Sequence, residues 1–155
     1  TTPAAGAPRP FANRFETGFE LARVTRDYAT LLAKAKQVAQ AARAYDDLLA
    51  NMQLQMPSDP GHPARAFIGA IYADKGEMLQ RVGETAQATD AFRASAASFA
   101  QFFVLDDQEG NRMARMMPPD LAQNYVRVLQ ELGDDATAAE VDQRYLQRRG
   151  PPPRP

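Results

Sequence analysis

The chain contains no cysteine. That absence excludes disulfides, thiolate nucleophiles, iron–sulfur clusters, cysteine-ligated zinc and covalently attached haem, and it fits a reducing or an oxidising compartment equally well. Histidine is nearly absent: His62 stands alone, in a Pro/Gly-rich stretch, so a two-histidine metal site or a histidine-paired dyad has no second member. Its surroundings assign it to a turn. Valine and isoleucine are scarce beside Ala, Leu, Gln, Arg and Glu, which disfavours strands and favours helix along most of the chain. No apolar run approaches the roughly 18 residues that a membrane-spanning helix requires. A strong field of either sign is also missing, since the formal net charge is −1 and the charges are mixed along the chain; a nucleic-acid binder would show a basic face. Neither a glycine-rich phosphate loop, a GxSxG elbow nor a paired-carboxylate site occurs. No enzymatic activity, metal or cofactor is expected.

What remains is a long alternation of helical stripes and breaks. Residues 1–10 carry Pro3, Gly6, Pro8 and Pro10 without apolar periodicity and read as an extended arm; residues 150–155 read as a proline-rich tail. Between them, residues 11–149 form one all-α domain of six main helices. From Phe11 the positions Phe15, Phe19, Ala22, Ala29 and Ala33 recur at helical intervals, with Leu21, Val24, Tyr28, Leu31 and Leu32 expected to fill the same apolar stripe. The polar Lys34-Ala35-Lys36-Gln37 places a break. A second stripe, from Val38 through Ala41, Tyr45, Leu48 and Leu49 to Met56, ends at the helix breakers of residues 57–63. Pro63 suits the first position of the next helix, which runs through Phe67, Ile68, Ile71, Met78 and Leu79 to a stop at Gly83. Glu84-Thr85 opens a helix ending in Phe99, Phe102 and Phe103. A polar turn at residues 106–110 follows, then a Met-rich helical turn over 111–117. Asp120 is expected to cap a helix stopped by Gly133, and Asp134-Asp135 to cap the last, which carries Val141 and Tyr145 and ends at Gly150.

Tyr72, Gly76, Leu79, Gly83, Ala88, Phe92 and Ser95 resemble, in type and spacing, the tetratricopeptide repeat, a helix–turn–helix unit of about 34 residues. Gly76 and Ala88 would let two backbones approach while Tyr72 and Phe92 fill the space beside them. Gly61-His62-Pro63 followed by Ala64 is similar to a lead-in found in one subclass. A weaker copy at Leu32, Ala41, Tyr45 and Leu48 has Lys36 in place of the turn glycine. Another, at Leu129, Gly133 and Ala138, puts the aromatic place on Asp142, one residue before the local stripe, which suggests a longer turn. Tyr45 and Phe92 lie 47 positions apart, so insertions separate the units. The resemblance spans residues 25–149 and implies three stacked helix pairs whose first helices line an inner groove.

The resemblance implies a protein-binding surface at Arg23, Arg26, Thr30 and Lys34, at Ala70, Ala73, Glu77, Gln80 and Arg81, and at Gln123, Arg127 and Gln130. Its arginines suit carboxylates and backbone carbonyls of a peptide. The Lys/Asn set with which chaperone-binding members grip a C-terminal carboxylate is not reproduced. The expected role is a scaffold, adaptor or accessory subunit of a larger assembly, with both proline-rich arms lying over a protein partner. A structural subunit of a large, membrane-associated complex, acting through outer faces and tails, is a second reading. The thioethers of Met113, Met116 and Met117 open a third, a small metal or ligand carrier, against their ordinary use as filler. Asp106, Asp107 and Glu109 lack the alternate spacing of a calcium loop. Arg148, Arg149 and Arg154 read as a solvated tail. One of Phe99, Phe102 and Phe103 could stand exposed as a docking anchor. A Pro/Ala-rich start without Met fits an exported, periplasmic bacterial protein, the cytoplasm being the alternative.

Overall fold

The computed structural model describes residues 10–54, 56, 61–105 and 111–147, and for residues 10–19 the backbone alone. Within them the chain is all-helical, with seven α-helices: α1 (Pro10–Lys34), α2 (Val38–Leu54), α3 (Ala64–Arg81), α4 (Thr85–Phe102), the short α5 (Arg112–Met116), α6 (Pro119–Glu131) and α7 (Asp135–Val141), the last continued by a π-helical turn over Asp142–Leu146. Residues 1–9 of the N-terminal arm, the C-terminal tail, the loop residues 57–60 and the polar turn at 106–110 lie outside the described residues, as do Arg148 and Arg149; Pro10, expected in the arm, instead opens α1.

Three turns organise these helices, and all three are built alike. The amides of Gln37, Glu84 and Asp134 donate to the carbonyls of Leu32, Leu79 and Leu129, while the amides of Lys36, Gly83 and Gly133 donate to those of Ala33, Gln80 and Gln130. This is the Schellman closure, which needs a left-handed residue. Gly83 (φ 84°) and Gly133 (φ 76°) supply it without a steric penalty, and Lys36 (φ 61°) supplies it with one. The polar run at residues 34–37 marked the position of the first turn from the sequence. The third turn is no longer than the second. Val141, at the end of α7, and Tyr145, four residues on within the π-helical turn, are both buried on the core side.

Each turn joins two helices packed against each other, giving the pairs α1/α2, α3/α4 and α6/α7. Between pairs, α3 packs on both α1 and α2, and α6 on both α3 and α4. The first helices α1, α3 and α6 therefore follow one another along one side. The central pair is the closest. Gly69 and Gly76 of α3 face Phe99 and Phe92 of α4 with no room for a side chain, and the buried Ser95 hydroxyl donates a 2.6 Å bond to the Gly69 carbonyl.

The aromatic residues collect at the junction of the second and third pairs. Phe99 and Phe103 stack on Tyr125 at centroid separations of 5.2 and 5.8 Å, and Phe103 meets Tyr145 edge-on at 5.1 Å. All three phenylalanines at the end of α4 are buried, so none is a docking anchor. Tyr145 then closes the crossing. Its hydroxyl donates to the Val104 carbonyl at 2.6 Å and accepts from the Asn111 amide at 3.2 Å. The Asn111 side chain donates to the Phe102 carbonyl at 2.9 Å and caps α5 through the amides of Met113 and Ala114.

Other expectations change in detail. Pro63 is the N-cap of α3 and Ala64 the first helical residue; the His62 ring nitrogen Nδ1 accepts from the Ala64 amide at 3.2 Å, which is the turn role expected of it. Pro119 rather than Asp120 opens α6, leaving Asp120 in the first turn, where a carboxylate favours the helix dipole. Asp134 caps α7 by accepting from the Thr137 amide. The largest departure is on α1. Ala29 and Leu32 turn inward, whereas Leu21, Val24, Tyr28 and Leu31 are exposed rather than packed in the core. A core-facing stripe and an exposed one both recur at helical spacing, so periodicity alone could not tell them apart.

Candidate functional site

The side along which α1, α3 and α6 succeed one another carries a cluster of charged groups drawn from all three. Its centre is Asp74, half-buried on α3. Burial pushes this carboxyl up to about 6, and Glu77 one turn on raises it further; Arg26 from α1, then Arg127 from α6 and Arg81 from α3, oppose that shift by favouring the charged form. Three cations thus surround one acid without cancelling the cost of taking it out of water. Glu77 is itself held by an ion pair to Arg127 that bridges α3 to α6, and Arg81 approaches it at 4.0 Å from the next turn. The buried Tyr45 of α2 forms the floor; burial raises its phenol, and the Asp74 carboxylate raises it further.

The local sequence explains why these groups meet. Asp74, Glu77 and Arg81 are spaced three and four residues apart and so share a face of α3, while the small Ala66, Gly69, Ala73 and Gly76 sit on the buried side against α4 and its neighbours. Between α3 and α6, the Gln80 side-chain amide donates to Glu131 at 2.9 Å, a second bridge parallel to the Glu77–Arg127 pair. Arg127 also donates to Asn124 at 3.0 Å on its own helix.

Of the residues singled out from the sequence, the fold brings Arg26, Glu77, Gln80, Arg81 and Arg127 to this side by contact or by charge. Arg23 is exposed on α1 and paired at 2.8 Å with Glu20, which raises its guanidinium further. Lys34 at the end of α1 and Gln123 on α6 are exposed. Asp74 and Tyr45 were not among the sequence candidates. Asp74 could have been found: it is the first acidic residue in an otherwise small and apolar turn of α3, in step with Glu77 and Arg81. Tyr45 could not, since nothing in its own stripe distinguishes a residue under a charged surface from any other core tyrosine.

The methionines divide. Met113 and Met116 are exposed on α5, Met116 almost fully, while Met117 packs against the core. Among the described residues no group of three or more His, Asp or Glu side chains could hold a metal ion, and no helix is long and apolar enough to cross a membrane.

The arrangement offers fixed guanidinium donors on a polar surface about three helices wide, with one half-buried acid among them. Such a surface can bind carboxylates and peptide carbonyls by charge-assisted hydrogen bonds. Comparison with protein-family models, curated proteins and solved structures gives no match to this chain.

Proposed function

We propose that this chain is a non-catalytic binding scaffold of helix–turn–helix repeats, tetratricopeptide-like in plan, that holds an extended acidic segment of a partner protein across α1, α3 and α6. The observation that carries this reading is the convergence of Arg26, Asp74, Glu77, Arg81 and Arg127, drawn from the first helix of all three pairs, on one side of the molecule. Three turns closed by the same two hydrogen bonds support the repeat plan, and so does the packing of each pair's first helix on both helices of the pair before it.

The energetics point the same way. Asp74 sits where its charged form is disfavoured, although a small apolar residue would fit the helix at less cost. Charged groups kept at a loss of stability concentrate where a surface has to recognise something. Arg81 is three-quarters exposed, so its guanidinium is open to a ligand. Arginine suits this task because its planar fork binds carboxylates in pairs of hydrogen bonds and pays little for desolvation.

The test is selection of random peptides displayed on phage against the immobilised protein. Recovered sequences should be rich in Asp and Glu, and binding should drop at least tenfold in Arg26→Glu and Arg81→Glu variants whose circular dichroism is unchanged. Peptides of no common charge, or acidic peptides bound equally well by both variants, would remove the groove from consideration.

A further inference from the structure

The charged side uses only part of α1. On another side, Leu21, Val24, Tyr28 and Leu31 follow one another at intervals of three, four and three residues, and they are 45, 55, 55 and 65% exposed. These four make up most of the large hydrophobics exposed among the described residues; the others are Leu54 at the end of α2 and Met113 and Met116 on α5. Together they present on the order of 400 Å² of contiguous apolar surface, the size of patch that marks an interaction site. Val24 and Arg26 stand roughly 200° apart around the helix, so occupying one side leaves the other open.

The spacing is that of the a and d positions of a coiled coil, whose seam is narrower than a core-facing stripe. We propose that this stripe is a self-association surface, on which α1 of a second copy packs antiparallel about a two-fold axis. Three observations favour a second copy over another occupant. First, the stripe is self-complementary when reversed: Leu21 meets Leu31 and Val24 meets Tyr28 of the other copy, each contact occurring twice, as a two-fold interface requires. Second, the flanking charges match in that register. Glu20 and Lys34, both exposed, come side by side across the seam at each end; Asp27, one residue from the axis, faces Asp27 of the other copy, a like-charge contact that the Arg23 charge beside it on its own helix offsets. Third, the described far end of the molecule is a poorer partner. Among the described residues the exposed positions on α6 and α7 are mainly polar, including Gln123, Gln130, Asp135 and Glu140, with only the small Ala136 and Ala139 of α7 apolar between them, which gives head-to-tail stacking little to pack on.

With the flanking side chains included, two copies would bury roughly 1,200 Å² in total, at the lower limit for a specific interface. The dimer is accordingly weak.

Sedimentation velocity of the full chain between 1 and 200 μM tests this. The expected result is a reversible monomer–dimer equilibrium that Val24→Lys and Leu31→Lys each shift at least tenfold towards monomer with unchanged helicity, since both positions are exposed. Lys34→Glu should weaken the dimer, and adding Glu20→Lys to it should restore much of the loss. The absence of native cysteine makes register directly readable. A Leu21→Cys/Leu31→Cys variant should oxidise to a covalent dimer, because these positions lie about 15 Å apart along one helix and cannot join within a chain. Monomer at every concentration would overturn the proposal and leave the stripe to a helix of a different protein. A dimer untouched by Leu31→Lys would overturn it as well. Efficient cross-linking through Leu21→Cys alone, a position about 15 Å from its counterpart in the antiparallel register, would establish parallel pairing and overturn that register.

Discussion

The ring of Phe92 occupies the space in which a side chain on Gly76 would begin: a Cβ at Gly76 would stand 2.7 Å from one ring carbon and 2.8 Å from another. Phe92 is buried, so its ring cannot swing into solvent to make room. The α3/α4 contact is set by this glycine.

Gly76→Ala is therefore expected to destabilise the protein by about 1–2 kcal/mol, even though alanine is the better helix former by about 1 kcal/mol, because overpacking a rigid ring costs more than propensity returns. Thermal or urea denaturation checks the sign. A stabilised Gly76→Ala variant would mean that α3 and α4 separate more easily than their packing indicates.

Lys36 offers the reverse case. It holds a left-handed conformation that Gly83 and Gly133 hold for nothing, and its side chain is exposed. Lys36→Gly should stabilise by about 0.5–1 kcal/mol, the relief of strain exceeding the extra freedom gained by the unfolded chain. Gly83→Ala should cost about 1 kcal/mol, and for a purely conformational reason, since nothing lies within 4 Å of the added methyl. The two variants measured by urea unfolding form a matched pair at equivalent places.

Asp74 makes stability depend on pH. Its carboxyl titrates near 6 in the folded chain, against 3.8 for an unperturbed group. The folded state therefore binds the proton more tightly, and stability from this residue is fully present below pH 3.8 and declines as pH rises through 6. Asp74→Asn should stabilise by about 1 kcal/mol at pH 7.5, allowing for screening of a half-buried charge, and the difference from wild type should vanish near pH 4. Urea midpoints of both proteins across that range provide the comparison, and a gap that widened towards acid would reverse the assignment.

Tyr145→Phe removes a hydroxyl that serves the Val104 carbonyl and the Asn111 amide together. The ring and its packing on Phe103 remain, so the loss isolates the polar contacts. About 1–3 kcal/mol is expected in equilibrium unfolding, more than a lone hydrogen bond, because two backbone groups lose their partner at once. Hydrogen exchange should also quicken at the Asn111 amide.

How much of this was open to reading from sequence follows the range of the interactions involved. The all-helical class, the turns at Gly83 and Gly133 and the Asp134 cap rest on local chemistry and could be read directly. The direction of the α1 stripes could not, because Leu21, Val24, Tyr28 and Leu31 have the composition of core residues, and they are exposed because no helix among the described residues packs on them. The stripe out of step by one residue at Asp142 suggests a longer turn, yet the turn at Gly133 is closed by the same two bonds as that at Gly83, and Val141 is buried before the π-helical turn begins. Of the candidate surface, Arg26, Glu77, Gln80, Arg81 and Arg127 came from the inner-face positions that the tetratricopeptide resemblance implied. Asp74 could be placed on that face from its spacing to Glu77 and Arg81, but its burial and the arginines of three different helices around it could not be read locally.

The three identical turns bear on how the molecule comes apart. Each closes a pair of helices locally, within a few residues, while the connections between pairs are longer. Opening should then proceed by pairs rather than by single helices. The central pair, covered on both flanks, is the last to exchange its amides; α1 and α2, with a strained lysine at their turn and an apolar stripe facing water, are the first. A second copy bound along that stripe would slow exchange in α1 and α2 selectively, so the weakest cooperative unit of the monomer is also the one whose protection would report on assembly.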